Sequence, residues 1–308
     1  MLYSFIRQHV SQAVACLHTA TCFPSRGLPA PVMKSCSMPI QICCACGTSY
    51  PDAAEPPSRC LICEDERQFV PRGGQVWTTP EKLAGGHVNA WQQLEGDLFE
   101  IHTHPQFGIG QRALLLRTPQ GNVLWDCISL LDDATVSLIG GLGGLRAIAI
   151  SHPHYYTRMQ DWARAFDCPV HLHAADADWI MRPDPAIRHW QGETLEIAQG
   201  VTLLRLGGHF PGGSVLHWAD GAEGRGAILS GDIVQVAADP GRVSFLWSYP
   251  NMMPLSAATV RHIADTLAPW RFDRIYGAFP GRQVATGGAR AVERSAARYI
   301  ELLKANQL

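Results

Sequence analysis

At 308 residues the chain is long enough for one large domain or two smaller ones. Hydrophobic residues make up 46% and charged ones 17%, which is the composition of a packed globular protein and excludes a disordered chain. With 25 basic against 27 acidic residues the formal charge is −2, so there is no global electrostatic case for a nucleic acid or an anionic membrane surface as partner. No run of about 18 apolar residues predicts a transmembrane helix. The segment before Asp52 holds no acidic residue, whereas Arg7, Arg26 and Lys34 are basic and Ser and Thr are frequent. Residues 1–37 therefore read as a mitochondrial transit peptide or as an extension without structure, with translation starting at Met33 or Met38. Arg7 and His9 interrupt the apolar stretch a secretory signal needs. On either reading this segment carries no chemistry.

Residues 38–72 hold the main concentration of cysteine. Cys43, Cys44, Cys46, Cys60 and Cys63 account for five of the ten cysteines within 21 residues. Secreted disulfide scaffolds are short and spread their cysteines. A cluster attached to a long, cysteine-poor domain indicates metal ligation in a reducing compartment, and places the protein in the cytoplasm, or in the mitochondrion if residues 1–37 are a transit peptide. Cys43-Cys44-Ala45-Cys46 and Cys60-Leu61-Ile62-Cys63 are two C-x-x-C turns, each setting two thiolates on one side of a tight loop. Cys43, Cys46, Cys60 and Cys63 then form a tetrahedral, structural zinc site, with Cys44 spare. Gly47 allows the positive φ of a metal knuckle, and Pro51, Pro56 and Pro57 suit a short connecting hairpin. So short a segment buries little apolar surface, so the metal supplies its folding energy. It either packs on the main domain or recruits a protein partner.

Residues 73–308 form the main domain. Leu98–His102, Ala113–Arg117 and Asn122–Cys127 are predicted strands separated by Pro-Gly turns. Asp132–Ile139 is a predicted helix that stops at Gly140–Gly144. Leu145–Ser151 is a near-continuous apolar run, as expected of a strand buried on both faces. Arg158–Phe166 is helical, Val170–His173 is a strand, and Val201–Leu206, Ser214–Trp218 and Ala227–Ser230 are three more. Helix Ala257–Leu267, strand Arg274–Tyr276 and the amphipathic helix Ala289–Leu303 complete the domain. Strands first and strand–helix alternation later indicate sheets flanked by helices.

The candidate chemistry lies at the ends of these strands. His152-Pro153-His154 follows the buried strand, and the proline stiffens a turn that directs both imidazoles to one side. His209 sits in Leu206-Gly207-Gly208-His209-Phe210-Pro211-Gly212-Gly213, a loop built for close approach. Ser230-Gly231-Asp232 sets a carboxylate at another strand end. Three imidazoles and a carboxylate suit an open zinc site. His102-Thr103-His104 repeats the spacing without a third ligand nearby, and His173 stands on a strand that could bring it to the edge of the site.

From about Trp77 onward this arrangement resembles the metallo-β-lactamase fold superfamily, which carries H-x-H-x-D-H after a buried strand, a His in a Gly-rich loop, a strand-end Asp and a final His. The resemblance implies an α/β (α+β) fold, a four-layer αββα sandwich, here with a small zinc ribbon before it. It also implies that His152, His154 and His209 bind the first metal, that Asp232 is the bridging carboxylate, and that Asp126 supports the site from behind. The chain departs from the pattern at Tyr156-Thr157, where the family has Asp-His, and at Tyr276-Gly277-Ala278-Phe279-Pro280-Gly281, where it has the last His. Only Asp232 remains of the second metal's ligands, so the centre is expected to be mononuclear.

A zinc-bound water would ionise near neutral pH, with Asp232 as its general base and the Tyr156 phenol as oxyanion donor. A small-molecule substrate with an acyl-type bond (ester, thioester, lactone or amide) fits one metal better than a phosphodiester. The alternatives are a non-catalytic metal-binding or interaction protein on a degenerate hydrolase fold and a mononuclear iron oxygenase, because three imidazoles and a carboxylate suit zinc and iron alike.

Overall fold

The computed structural model describes residues 39–305; the readings for residues 1–37 lie outside them. Ile40–Cys43 (β1), Ser49–Asp52 (β2) and Trp77–Thr78 (β3) make a small antiparallel sheet in the order β2-β1-β3. A seven-stranded sheet follows. Its strands are Val88–Glu95 (β4), Leu98–His104 (β5), Arg112–Leu116 (β6), Val123–Trp125 (β7), Ala147–Ala149 (β8), Val170–His173 (β9) and Ile187–Trp190 (β10), side by side in reverse order. β4 to β7 are antiparallel, and β7 to β10 are parallel.

The second large sheet takes Thr194–Ala198 (β11), Val201–Arg205 (β12), Ser214–Trp218 (β13) and Ala227–Gly231 (β14). Two short hairpins follow, Gln235–Val236 (β15) with Val243–Ser244 (β16) and Leu246–Ser248 (β17) with Met253–Pro254 (β18). Arg274–Gly277 (β19) then pairs parallel to β14, and Gln283–Val284 (β20) closes the sheet.

Side chains of a strand alternate between faces, and the apolar runs put that alternation to use. Leu114 and Leu116 of β6 face Leu203, Leu216 and Leu229 of the second sheet. Their neighbours Ala113 and Leu115 face the opposite way, among Met159, Trp162 and Ala163. In the second sheet Leu204, Val215 and Ile228 turn outward onto Val260, Ile263, Val292 and Ala296. Three apolar layers therefore separate four structural ones: the helices Asp133–Gly141 and Met159–Phe166, two sheets, and the helices Ala257–Leu267 and Gly288–Ala305. This is the αββα sandwich. Ala147, Ile148 and Ala149 are at most 3% exposed, as a strand covered on both faces must be.

The helices begin where side-chain oxygens can take up free N–H groups. Asp132 accepts from Thr135 N at 2.7 Å, and Ser256 Oγ from Thr259 N at 3.1 Å. Asp167, at φ 49°, ends the helix before Pro169. The parallel pairing places the C-terminal ends of β7, β8 and, across the sandwich, β14 at one margin. Asp126, His152 and Asp232 are the residues that leave those ends. Among the described residues no helix is long and apolar enough to cross a membrane.

Candidate metal centres

The antiparallel β1–β2 hairpin presents Cys43 and Cys46, and the turn into Leu61–Glu64 presents Cys60 and Cys63; all four are at most 2% exposed. Cys43 Sγ lies 3.6 Å from Cys63 Sγ and Cys46 Sγ 3.6 Å from Cys60 Sγ. Four sulfurs about 2.3 Å from one zinc stand about 3.8 Å apart, whereas a disulfide needs about 2.0 Å. The four ligand atoms converge within 4.8 Å, so the set fits a tetrahedral ion. Gln75 Nε2 donates to Cys43 Sγ at 2.8 Å and Tyr50 Oη to Cys60 Sγ at 3.5 Å, which stabilises thiolate charge. Gly47 takes the expected positive φ, at 84°.

This segment packs on the rest of the chain. Ser49 donates to Thr157 O through both its amide, at 2.9 Å, and its hydroxyl, at 2.6 Å. Ser129 Oγ donates to Gly47 O at 2.8 Å, and Arg182 Nη1 to Ser49 Oγ at 3.1 Å. Asp161 holds Arg182 at 2.9 Å and Arg158 at 2.8 Å from the other side.

At the sandwich margin His152, His154, His209 and Asp232 also converge within 4.8 Å, each at most 3% exposed. His152 Nε2 stands 3.0 Å from Asp232 Oδ1, and His209 Nε2 3.2 Å from His154 Nδ1 and 4.0 Å from Asp232 Oδ1. Ligand atoms at about 2.0–2.1 Å around a tetrahedral zinc are about 3.3 Å apart; two of these spacings match that and the His209–Asp232 one is wider. The histidines are held from behind. His209 Nδ1 donates to Trp247 O at 2.6 Å, which leaves Nε2 with a lone pair facing inward. His152 Nδ1 meets Ser151 Oγ at 2.9 Å, and Asp126 Oδ1 accepts from Ser151 N at 2.8 Å.

The electrostatics of the cluster without a cation are unfavourable. Burial, then the charge of Asp126, raises Asp232 to about 8; burial alone raises Asp126 to about 7 against hydrogen bonds from Ser151. Burial also lowers His209 to about 4, and burial with the neighbouring imidazoles drives His152 and His154 well down. Apart from their 3.0 Å approach to each other, His152 Nε2 and Asp232 Oδ1 are buried with no hydrogen-bond partner among the described residues. A divalent ion satisfies both atoms and reverses the cost of burying the carboxylate. These residues fit the metal.

Gly231 makes the approach possible: at φ 53°, a Cβ there would stand 2.6 Å from Ser151 Oγ. The Gly-rich loop around His209 is pinned by Asp176 Oδ1, which accepts from Gly212 N at 2.8 Å.

Tyr156, the donor expected from the sequence, is buried in the same apolar cluster as Tyr155, and its phenol is held high by burial and then by Asp176. Pro153–Tyr155 forms a single 3-10 turn, closed by Tyr156 N on Pro153 O at 3.2 Å, and successive side chains diverge around it. Tyr155 is the phenol beside the histidines. Its ring is 4.9 Å from His152, its hydroxyl is buried without a partner among the described residues, and Asp232 and Asp126 add to burial in raising it. Tyr249 Oη donates to Asp232 O and its ring lies 5.5 Å from His209.

His173 is a core residue, against Trp190 at 4.5 Å and Gly192 O at 3.2 Å. His102 Nδ1 pairs with Glu100 at 2.9 Å.

A buried arginine packs against the loop that carries His209. Arg67, which follows the last cysteine by four residues, is 5% exposed, grips Asp65 with Nε and Nη2, and donates to His209 O at 3.3 Å. Its guanidinium lies 3.8 Å from the Phe210 ring, 4.7 Å from Trp247 and 5.0 Å from Trp179. No local motif in the sequence points to Arg67 or Tyr249, and Trp247 reads there only as core or pocket wall.

No protein-family model matches the chain. The DIM-1 metallo-β-lactamase aligns with 70% of this chain and 98% of its own, at TM-score 0.53 and 12% identity. VMB-1 does so over 70% and 98%, at TM-score 0.53 and 10% identity. At such identities the likeness is one of fold, and with the clustered histidines and aspartate it defines a metallo-β-lactamase-fold protein with a metal-binding group at the sheet margin. The chain belongs to the family of the uncharacterised Bacillus subtilis (strain 168) protein YmaE. The two are 48% identical over 268 residues, which is 86% of this chain and 97% of that one.

Proposed function

We propose that the protein is a mononuclear zinc hydrolase of an acyl-type bond in a small molecule (ester, thioester, lactone or amide). The observation that carries this reading is the set of four buried donors within 4.8 Å, two of them without hydrogen-bond partners apart from each other. His152, His154, His209 and Asp232 would hold the ion, and Cys43, Cys46, Cys60 and Cys63 a second, structural one. When bound there, an ion would supply Lewis acidity and would lower the pKa of a coordinated water to about 7.

The remaining work falls to side chains. Asp232, fixed by Tyr249 on its main-chain oxygen and backed by Asp126, accepts the proton released by the attacking water. We assign to Tyr155, in place of Tyr156, the donation of a hydrogen bond to the developing oxyanion. Trp179, Trp247 and Phe210 keep bulk water away.

A second reading, a non-catalytic metal-binding protein, is favoured by one observation: all four donors of the histidine centre are at most 3% exposed. Screening the metal-loaded chain against ester, thioester, lactone and amide substrates separates the two. The hydrolase reading expects turnover that disappears in Asp232→Ala. A fully metallated chain inert across the panel would establish the second. Two zinc ions per chain are expected by elemental analysis, one of them retained in His152→Ala/His209→Ala.

A further inference from the structure

The four-cysteine segment and the histidine centre share a strap. After Cys63 the chain runs through Asp65, Glu66, Arg67 and Gln68 directly over the loop that carries His209. Two contacts tie it to that loop and three to the neighbouring segment of Trp247 and Asn251. Arg67 Nη1 donates to His209 O at 3.3 Å, and the Arg67 guanidinium rests 3.8 Å from Phe210, whose ring is 5.0 Å from that of His154 and 5.2 Å from that of His209. Trp247 Nε1 donates to Glu66 Oε1 at 2.8 Å, and the carbonyl of the same Trp247 orients His209 Nδ1. Asn251 Nδ2 donates to Glu66 O at 2.9 Å and Gln68 O at 3.3 Å. The other end of the strap is held only two residues away, where Cys60 and Cys63 meet Cys46 and Cys43.

We propose that Arg67 is a positioning residue for the histidine centre, and that through it a metal ion at the four cysteines tightens metal binding by His152, His154, His209 and Asp232. The ring-stacked, bidentate guanidinium is rigid, so it transmits the placement of Cys63 to the backbone of His209. Its contacts are to the His209 backbone and to neighbouring rings, not to any of the four ligand atoms. It acts through the loop, as outer groups around metal sites do. With the cysteine centre empty, Cys60 and Cys63 separate from their partners and the strap loses its anchored end.

The test uses the full-length chain, stripped of metal under reducing conditions and titrated with Co(II). The near-ultraviolet thiolate-to-cobalt band counts ions at the cysteines, and total bound cobalt by equilibrium dialysis less that share counts those at the histidine centre. Wild type is the reference, with one ion at each. In Arg67→Ala the dissociation constant of the histidine centre should rise about 10–100-fold, with the cysteine centre unchanged. A merely structural role would shift both together or neither. Cys60→Ser, which empties the cysteine centre, should weaken the histidine centre in the same direction.

Should Arg67→Ala fail to fold by circular dichroism, Asp65→Asn takes its place: it keeps Arg67 and removes its charged anchor, and a rise of severalfold is expected. An unchanged histidine centre in the folded Arg67 or Asp65 variant overturns the positioning role. An unchanged histidine centre in Cys60→Ser overturns the coupling.

Discussion

Gly231→Ala probes the seam on which the histidine centre depends. Ser151 precedes His152 and Gly231 precedes Asp232, so the two ligands leave adjacent strand ends. A methyl group on Gly231 would stand 2.6 Å from Ser151 Oγ, 2.9 Å from Ser151 Cβ and 3.4 Å from Asp126 Oδ2. Two separate costs follow. Holding alanine at φ 53° costs about 1–2 kcal/mol, and overpacking a dense interior costs about 1–3 kcal/mol. The sum, about 2–5 kcal/mol, should appear in urea unfolding of the metal-loaded chain. The two parts are separable, because Ser151→Gly removes both atoms closer than 3.0 Å. The double variant should recover the packing share, seen as a coupling of about 1–3 kcal/mol in the mutant cycle, and keep the backbone share. Gly231→Ala within about 0.5 kcal/mol of wild type, the range of a surface change, would refute the close approach of these strand ends.

Three further outcomes are expected. Tyr155→Phe should lower turnover of any substrate found by about 10²–10³-fold while Tyr156→Phe leaves it within severalfold; equal losses would remove Tyr155 from the donor role. In the metal-free chain Asp232 lies at about 8, above the roughly 3.9 of an unfolded chain. Its burial therefore costs nothing at low pH and destabilises increasingly as pH rises from about 4 towards about 8. Metal-free Asp232→Asn should be more stable than metal-free wild type near pH 8, with the gain gone near pH 4; a gain independent of pH in urea unfolding would contradict the burial effect. Cys60→Ser should lower bound metal from two ions to one and open residues 43–63 to limited proteolysis, since the segment has little apolar core of its own. Resistance equal to wild type, read by mass spectrometry, would show that packing alone orders it.

The sandwich was legible because its core strands are unusually explicit. Ala113–Leu116 and Ala147–Ala149 are apolar without interruption, which only strands covered on both faces permit. Val88–Glu95 was not read as a strand although it is the longest in the first sheet: it lies at the sheet edge, largely open to solvent, and Asn89, Gln92 and Gln93 give it no apolar period. The short pairs Gln235–Val236 and Leu246–Ser248 escaped for another reason. Two- and three-residue strands carry no periodicity, and tertiary contact alone selects them.

At the histidine centre, ligand order along the chain was legible, because each ligand follows a strand end or a glycine-rich turn. Geometry one residue further was not. Whether Tyr155 or Tyr156 faces the histidines depends on a single 3-10 turn, which no side-chain pattern announces. The departures at Tyr156 and Thr157 have a physical counterpart in the structure. Thr157 O accepts both hydrogen bonds from Ser49, and Gly47 packs close enough that a Cβ there would lie 3.6 Å from Thr157 Cγ2. The stretch that in the resembling superfamily would carry ligands for a second metal here receives the cysteine segment. The four-cysteine unit thus docks on Thr157 and sends Arg67 to the backbone of His209. Tyr156→Asp/Thr157→His should therefore loosen docking of the cysteine segment, read as faster limited proteolysis within residues 43–63, and a double variant that binds an additional metal ion with wild-type resistance to the protease would refute this.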